Sequence, residues 1–469
     1  MDVFADKLGR IGAWAGQNKY LGAIKNAFQN FMPATIAGAM SVLWTNVLVN
    51  DTLVEGNAQG LGGIFSPIMV LEPVNAVFSA IQFCTISCIS VGIVMLVAQE
   101  IGEANGETGA FPAVVGFMSW AVVTPTAHTI TSLASGLTDK ADKAISIGDV
   151  LTKNGVTNLS QVGTFTGFNA DYLGATGLFT ALIIGILALE IYHAFRKMDA
   201  LKIKMPEQVP PGVTRAFEVL IPTFLTLLVV GMIGWLVQLI TGQYINDIIK
   251  TAVQEPLTKI IGDNILAVCL MYTLAQMFWL VGIHGQNMIS AVKESIFRPM
   301  LYANTTAYAT HSGKIPHIFN TTMLQMFGEI GGSGVTLGLL IAMGMFAKRE
   351  DNKAIASLSL VPGLFNINET ITFGLPMVLN PILGIPFLIV PAVGLTIGWF
   401  LTTIGFCPRV VLEVPWTMPP LLLGFLATGG SIMGAVSQLI VIVASTLIYI
   451  PFVIAYEKYQ NKQSESAML

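Results

Sequence analysis

The chain has 469 residues, of which 54% are hydrophobic and only 11% are charged, and its formal net charge is −4. Soluble domains carry about 25% charged residues, so this composition excludes a water-soluble globular protein and indicates an all-α polytopic membrane protein. The small net charge gives no indication of a nucleic-acid partner.

Apolar tracts along the chain predict about ten membrane-spanning helices, because one crossing of the hydrocarbon core takes about 20 apolar residues. The tracts lie at 29–49, 74–98, 110–132, 173–195, 217–241, 265–285, 332–347, 376–405 and 431–456, with a shorter one at 417–428. The tract 376–405 contains several prolines, which break a helix. We therefore expect it to be discontinuous or to include re-entrant pieces.

Basic residues cluster after the fourth tract, at Arg196, Lys197, Lys202, Lys204 and Arg215. The segment 50–73, by contrast, has acidic residues and no basic one. By the positive-inside rule, both termini and the segment 196–215 are predicted to face the cytoplasm. The long segment 133–172 is then expected on the outside by alternation.

A proline-rich segment, 201–216, divides the chain into two predicted halves. Its sequence LKIKMPEQVPPGVTRA prevents a continuous helix. Residues 1–200 are typical of conventional spanning helices, whereas residues 260–430, within the second half 217–456, are rich in Gly, Pro, Asn and Thr at membrane depth. Residues 457–469 are predicted to be a cytoplasmic tail. Irregular backbone at that depth is tolerated where protein buries it or where it lines an aqueous cavity. The functional site is therefore predicted in the second half.

His284 is the first candidate site residue, because an ionisable group inside a membrane is costly and usually functional. It lies in GIHGQN, 282–287. The neighbouring Gly285 would let backbone approach a ligand closely, and Gln286 and Asn287 would supply further donors and acceptors. The structural alternative is a histidine at a helix end, satisfied by a backbone carbonyl.

Glu369 is the second candidate, in FNINET, 365–370, together with Asn366 and Asn368. A helix cap would account for one asparagine, but it accounts poorly for two amides and a carboxylate between phenylalanines. A carboxylate in a partly dry pocket can act as a general base.

Trp416, in VPWTMPP, is either an interfacial belt residue or a wall on which a sugar ring stacks. Glu329 is either a second polar contact or a helix cap. Arg409 and Glu413 are four residues apart and could form a structural ion pair.

No motif for ATP hydrolysis or metal binding appears in the sequence, so neither a metal nor another cofactor is predicted.

Seven segments together resemble the lactose/cellobiose (diacetylchitobiose) family of enzyme IIC, the membrane component of the bacterial sugar phosphotransferase system. In chain order they are NKYLGAIKNAFQNFMP, LGATGLF, IKMPEQVPPGV, GIHGQN, GGSGVTLGL, FNINETITFGLPMVLNP and VPWTMPPLLLGFLATG.

The resemblance implies a permease of the bacterial inner membrane that moves a sugar inward and couples its import to phosphorylation. Its partners would be the sugar, a separate cytoplasmic IIB protein carrying a phosphocysteine, membrane lipid and a second copy of the chain. The first half would chiefly build the dimer interface, and the second half, with two re-entrant hairpins, would form the sugar pocket.

The essential glutamate and histidine of the family fall on Glu369 and His284, and its tryptophan on Trp416. Asn366 and Asn368 would shape the backbone or bind sugar hydroxyls. The resemblance implies β-linked disaccharides such as cellobiose, chitobiose or lactose as substrates, and other glycosides or monosaccharides remain open. Where the family usually has a proline after the glutamate, this chain has Thr370.

Two other functions remain open from the sequence. In a proton-coupled secondary sugar transporter, Glu369 and His284 would form a proton relay. In a sensor, the same site would only report that sugar is bound. The absence of a visible internal repeat and the order of the seven segments favour the phosphotransferase permease.

Overall fold

The computed structural model describes residues 14, 17–54, 57–58, 60–130, 163–206, 208–375, 377 and 380–468. The predicted external segment 133–172 lies mostly outside these residues. The described chain is helical apart from two antiparallel ribbons, in which β1 (Leu53–Val54) pairs with β2 (Asn57–Ala58) and β3 (Ala127–Ile130) pairs with β4 (Gly163–Thr166).

The helices before residue 242 include one that starts inside the predicted linker. They are α1 (Lys19–Leu43), α2 (Asn75–Gln82), α3 (Ile89–Ala104), α4 (Phe111–Val123), α5 (Ala170–Leu173), α6 (Leu178–Arg196) and α7 (Pro211–Thr241). Additional π-helical or 3-10 turns lie at Trp44–Leu48, Leu61–Gly63, Ser66–Val74, Phe83–Ser87, Ala175–Gly177 and Asp199–Leu201.

The helices after residue 242 are shorter on average and are interrupted by irregular turns. They are α8 (Ile245–Ile249), α9 (Glu255–Leu257), α10 (Ile265–Leu280), α11 (Gly285–Ala309), α12 (Thr321–Gly328), α13 (Thr336–Phe346), α14 (Glu350–Leu364), α15 (Glu369–Gly374), α16 (Gly384–Thr403), α17 (Leu422–Ala427) and α18 (Ile432–Met468). Two π-helical turns lie at Lys250–Gln254 and Thr258–Gly262.

Asparagine side chains start three of these helices. Asn18 accepts hydrogen bonds from the first turn of α1, Asn264 from that of α10, and Asn320 from that of α12. Each side-chain oxygen satisfies backbone N–H groups that have no acceptor within the helix. These helix starts are therefore determined by local sequence.

Six helical stretches of the described chain are long and apolar enough to cross a membrane. They are Lys19–Leu48, Ser66–Ser87, Ala175–Arg196, Pro211–Thr241, Gly384–Thr403 and Ile432–Ser466. The pair Ile245–Gly262 and Ile265–Leu280, bent by 76°, would make a seventh span. The helical membrane class is confirmed, whereas the count of ten spans and the two re-entrant hairpins stay predictions.

Apolar side chains form two large buried cores. The first joins α3, α4 and α6 and includes Val97, Trp120 and Leu189; the second joins α10 to α13, α16 and α18. Val219 and Val230 of α7 belong to the first core. The predicted break at 201–216 therefore does not coincide with the boundary between the cores. Pro211 occupies the first position of α7, where a missing N–H costs nothing, so it starts a helix.

The tract 376–405 is only partly discontinuous. Residues 377 and 380–383 are irregular, but α16 continues unbroken for 20 residues. Pro381 precedes the helix and Pro386 lies in its first turn, so Pro391 alone interrupts the interior hydrogen bonds. Proline tolerance in membrane helices explains why Pro391 does not break α16.

Two tight turns in the second half lie against each other. The turn 329–335 joins α12 to α13, and the turn 365–368 joins α14 to α15. Gly332, at a φ of 95°, lies so close to Asn368 that a Cβ atom there would stand 2.7 Å from the asparagine Cβ. A glycine is therefore required for the contact between the two turns.

Candidate functional site

A cavity of about 530 Å³ lies between α1 and the second half of the chain. Its wall is built by the start of α11, the two tight turns and the segment around Trp416. The predicted site residues that line it are His284, Gln286, Asn287, Asn366, Asn368, Glu369 and Trp416. Segments more than 130 residues apart in the sequence therefore meet at one surface.

His284 and Glu369 face each other across this cavity. The Nε2 atom of His284 lies 3.9 Å from Oε1 of Glu369, and the side chains are 40% and 49% exposed. The Nδ1 atom of His284 accepts a hydrogen bond from the backbone N–H of Asn287 at 3.3 Å. In a neutral imidazole the proton is then on Nε2, so the ring presents a donor towards the carboxylate.

His284 stands at a helix end, but it is not satisfied there by a backbone carbonyl. Its ring does cap a helix, as the residue before α11, but through an acceptor nitrogen and not through a bond to a carbonyl. The second nitrogen stays directed at the cavity. Trp279 packs on the ring at a centroid distance of 4.6 Å and also contacts Phe373 at 6.3 Å. The aromatic contacts hold the imidazole in place.

Asn366 connects three segments around Glu369. Its Nδ2 donates to the carbonyls of Trp416 at 2.7 Å and Met418 at 3.0 Å, and its Oδ1 accepts from the N–H of Gly331 at 2.8 Å. Its backbone has a φ of 62°, a left-handed conformation that asparagine tolerates better than most residues. Both polar atoms of the amide are thus engaged with backbone, which favours the shaping role over direct contact with a sugar.

Asn368 is also engaged with backbone. Its side chain is buried, and Nδ2 donates to the carbonyl of Ser333 at 2.8 Å. It stands immediately before α15, but the side chain makes no capping bond to that helix. The helix-cap interpretation of the asparagine pair is therefore wrong: these amides tie the turn 365–368 to neighbouring turns.

Replacing Asn366 by glycine is expected to weaken sugar binding and to destabilise the protein by about 1–3 kcal/mol, because three backbone groups lose their partner. Glycine keeps the left-handed backbone, so the loss reports the hydrogen bonds and not strain. Thermal unfolding and calorimetric titration with sugar measure both effects. Asn366→Ala, which adds strain, should be less stable than Asn366→Gly. Unchanged unfolding and binding in the glycine variant would contradict the bracing role.

Gln286 has an amide that no described residue satisfies. Its Oε1 and Nε2 atoms are buried and have no hydrogen-bond partner in the described chain, and the residue belongs to the cavity wall. A buried amide without a partner is costly, so a ligand hydroxyl at this position would be favourable. Asn287, beside Gln286, is exposed on the same wall.

Gly285 is the exception among the predicted site residues. It is buried and does not belong to the cavity wall. A Cβ atom there would lie 1.7 Å from the carbonyl oxygen of Ala275, so the glycine lets α11 start directly against α10. Its requirement comes from helix packing and not from the approach of a ligand, which corrects the interpretation made from the sequence.

Buried charges on α11 form the floor of the cavity, and the sequence reasoning missed them. Lys293 Nζ lies 2.8 Å from Glu329 Oε1, which also accepts a bond from Tyr272 at 2.5 Å. Arg298 binds Glu294 and Glu413 simultaneously. The sequence does indicate these charges, because the segment KESIFR (293–298) places three ionisable residues within an otherwise apolar chain.

Glu329 lies on the cavity wall, where its carboxylate pairs with Lys293. The predicted pair of Arg409 with Glu413 is wrong. Arg409 donates to the carbonyl of Ile315, whereas Glu413 turns to Arg298, 115 residues away in the sequence. Residues 407–414 are not helical, so a spacing of four residues does not bring the two side chains together.

The first helix also contributes to the cavity, through Gln29 and Met32. Both belong to a segment that the sequence analysis assigned to the dimerisation half. No local signal distinguishes them from other residues of an amphipathic helix, since their role follows from the contact of α1 with α11.

Thr370 occupies the second position of α15 and is exposed. First-turn N–H groups have no acceptor within the helix, so proline and threonine are both compatible with this backbone. The departure from the family pattern at this position is therefore compatible with the observed start of α15.

Comparison with known proteins decides the family. Residues 25–391 match the family model described as Phosphotransferase system, EIIC. The chain belongs to this family. A cellobiose-specific EIIC component from Lactococcus lactis subsp. lactis (strain IL1403) is 30% identical, with 97% of each chain covered. An oligo-beta-mannoside-specific EIIC component from Bacillus subtilis (strain 168) is 30% identical, covering 98% of this chain and 94% of the relative.

A solved structure gives the same result for the fold. The crystal structure of the transporter ChbC, the IIC component from the N,N'-diacetylchitobiose-specific phosphotransferase system, superposes with a TM-score of 0.82. The two chains are 27% identical, and 97% of this chain and 98% of the other are covered. The resemblance predicted from the seven segments is thereby confirmed, and this EIIC component is a membrane-embedded, sugar-specific permease of the phosphotransferase system.

Proposed function

We propose that this EIIC component imports a β-linked disaccharide and presents it to the phosphocysteine of a separate cytoplasmic IIB protein, as the membrane part of a protein-phosphocysteine–sugar phosphotransferase. The observation that carries the proposal is the His284–Glu369 pair at 3.9 Å, facing the cavity. A volume of about 530 Å³ is within the range of small-molecule sites. Relatives named for cellobiose and oligo-beta-mannoside support the substrate class.

A IIB partner is supported by further relatives. Lactose-specific proteins from Streptococcus mutans and Staphylococcus epidermidis are 31% and 32% identical to this chain and are named EIICB components. Their alignments cover 54% and 50% of the relatives, so both proteins extend beyond the region shared with this chain. In the proposed assembly, the phosphoryl donor comes from a second polypeptide that docks at the cytoplasmic face.

The proposed reaction uses Glu369 as a general base. A sugar hydroxyl attacks the phosphorus of phosphocysteine while its proton passes to the Glu369 carboxylate; the new P–O bond forms as the P–S bond breaks, and the cysteine leaves as a thiolate. The Nε2–H of His284 holds the hydroxyl and stabilises charge on the phosphoryl oxygens. Phosphoryl transfer depends mainly on positioning and electrostatics, which these two groups supply.

Trp416 and the amides would orient the sugar. Trp416 is 46% exposed and lies on the cavity wall, so an apolar ring face is available for stacking. Gln286 and Asn287 would bind hydroxyls, while Asn366 and Asn368 keep the turns of the wall together. The two roles are assigned differently because the amides of Asn366 and Asn368 already bind backbone carbonyls, whereas the amide of Gln286 has no partner in the described chain.

The proposed placement is the bacterial inner membrane, with both termini in the cytoplasm and two copies per assembly. The basic residues of the segment 196–215 support this orientation. The two separate cores support a division into a dimerisation half and a sugar-binding half, with α7 assigned to the former by its packing.

Transport by proteoliposomes tests the function. With labelled cellobiose and phosphorylated IIB on the side of the termini, we expect the sugar to be recovered as a phosphate ester. Accumulation of unmodified cellobiose, driven by a proton gradient and independent of IIB, would overturn the proposal in favour of a secondary transporter. Binding without transport under either condition would favour a sensor.

Replacing His284 by alanine is expected to reduce phosphorylation by about 10²-fold or more, because the Nε2–H donor is lost. The same change removes the cap of α11, so stability will also fall by about 1 kcal/mol. His284→Asn separates the two effects, since asparagine caps a helix well but is too short to reach Glu369. We expect normal thermal stability and low activity in the asparagine variant. Restored activity there would reduce His284 to a structural cap.

A further inference from the structure

A second cavity, about 640 Å³, lies in the first half of the molecule, between α4, α6 and α7. One wall is a stripe along α7 that runs from Gly212 through Leu220 and Phe224 to Leu227. The stripe follows the spacing of one helix face, and at about 1.5 Å per residue it is roughly 22 Å long. Phe111, Pro112 and Met118 form the opposite wall. None of these residues contributes to the sugar cavity.

The polar groups of this crevice are concentrated at one end. Glu107 lies there in the turn before α4, together with Arg196 at the end of α6 and Arg215 near the start of α7. Arg196 Nη1 lies 3.1 Å from Glu107 Oε2, and His193 Nδ1 lies 3.7 Å from Glu107 Oε1. The acidic residue is therefore already compensated within the protein.

Arg215 has no such compensation within the described chain. It is exposed, lies near the start of α7 and forms no ion pair with a described residue. Lys197 and Lys204 follow Arg196 in the same basic segment. The end of the crevice thus holds one cation, Arg215, that has no ion-pair partner in the described chain and lies beside an apolar channel.

We propose that this crevice binds one anionic phospholipid, with its phosphate at Arg215 and one acyl chain along the α7 stripe. The cation at the end of the crevice suits the phosphate of a phospholipid. The long apolar wall suits its acyl chain, because it lies on a helix that can span the membrane. Basic residues beside a membrane attract anionic headgroups, whereas a zwitterionic headgroup gains little from the same charge. The lipid would pack α7 against α4 and α6, and so stabilise the first core.

Native mass spectrometry of the full-length protein in detergent tests the headgroup contact. Phosphatidylglycerol and phosphatidylcholine with identical acyl chains are titrated separately. We expect phosphatidylglycerol to be retained about fivefold more strongly, and Arg215→Gln to remove that preference. Lys204→Gln is the matched control, because it removes one positive charge from the same segment but outside the crevice. Equal retention of the two lipids, or equal effects of the two substitutions, would overturn the proposal.

The acyl contact is tested by filling the crevice. Leu220→Trp should lower retention of phosphatidylglycerol several-fold, whereas Leu239→Trp, at an exposed position of α7 outside the crevice, should leave it unchanged. If Leu220→Trp leaves lipid retention intact but dissociates an oligomer, a second copy of the chain occupies the crevice and the proposal fails. Lipid retention is read without sugar or IIB, so its outcome is independent of the proposed transport reaction.

Discussion

Replacing Glu369 by glutamine is expected to lower the rate of sugar phosphorylation by about 10²–10⁴-fold while sugar binding changes only a few-fold. Glutamine has nearly the same shape and can still form hydrogen bonds, but it cannot accept a proton from the attacking hydroxyl. The side chain is 49% exposed, so the substitution should not disturb folding. Phosphorylation by phosphorylated IIB and calorimetric sugar binding, measured on the same preparation, separate the two effects.

Glu350→Gln provides the control for this prediction. That carboxylate is 87% exposed, pairs only with Lys353 among described residues and lies outside the cavity, so its replacement should leave both measurements unchanged. An equal loss of binding and phosphorylation in Glu369→Gln would make Glu369 a binding residue. Phosphorylation at the original rate would remove it from the mechanism altogether.

The amino-acid sequence alone was sufficient to find the central pair of the candidate site, for a clear physical reason. Polar and ionisable groups are costly in an apolar chain, so FNINET and GIHGQN stand out from the tracts around them. The structural role of each residue within these motifs was harder to predict than its position in the site. Gly285 and Asn366 each lie in a site motif, yet one serves helix packing and the other braces turns.

Tertiary contacts explain what the sequence did not reveal. Gln29 becomes part of the cavity because α1 packs on α11, and Glu413 pairs with Arg298 and not with its sequence neighbour Arg409. Helix α7 joins the first core although a proline-rich segment separates it from α6. Each of these depends on how helices pack across the molecule, and no local pattern of residues encodes it.

Replacing Arg298 by methionine is expected to destabilise the protein by about 3–5 kcal/mol. Arg298 lies between Glu294 and Glu413, all three side chains are less than 10% exposed, and Tyr302 also contacts Glu413 at 3.2 Å. Methionine fills a similar volume but leaves two buried carboxylates without a cation. Thermal unfolding in detergent measures the loss, and Lys353→Met, which breaks an exposed pair with Glu350, should have little effect on stability.

The two carboxylates allow the cause of that loss to be isolated. If uncompensated charge is responsible, neutralising them in the Arg298→Met background, with Glu294→Gln and Glu413→Gln, should restore much of the stability, because the penalty belongs to the unpaired ions. Persistent instability in the triple variant would instead indicate that packing of the arginine stem matters most. Since Glu294, Arg298 and Glu413 all line the cavity, sugar binding by a stable triple variant then reports whether these charges also serve recognition. Retained binding would assign them to holding α11 against the segment that carries Trp416.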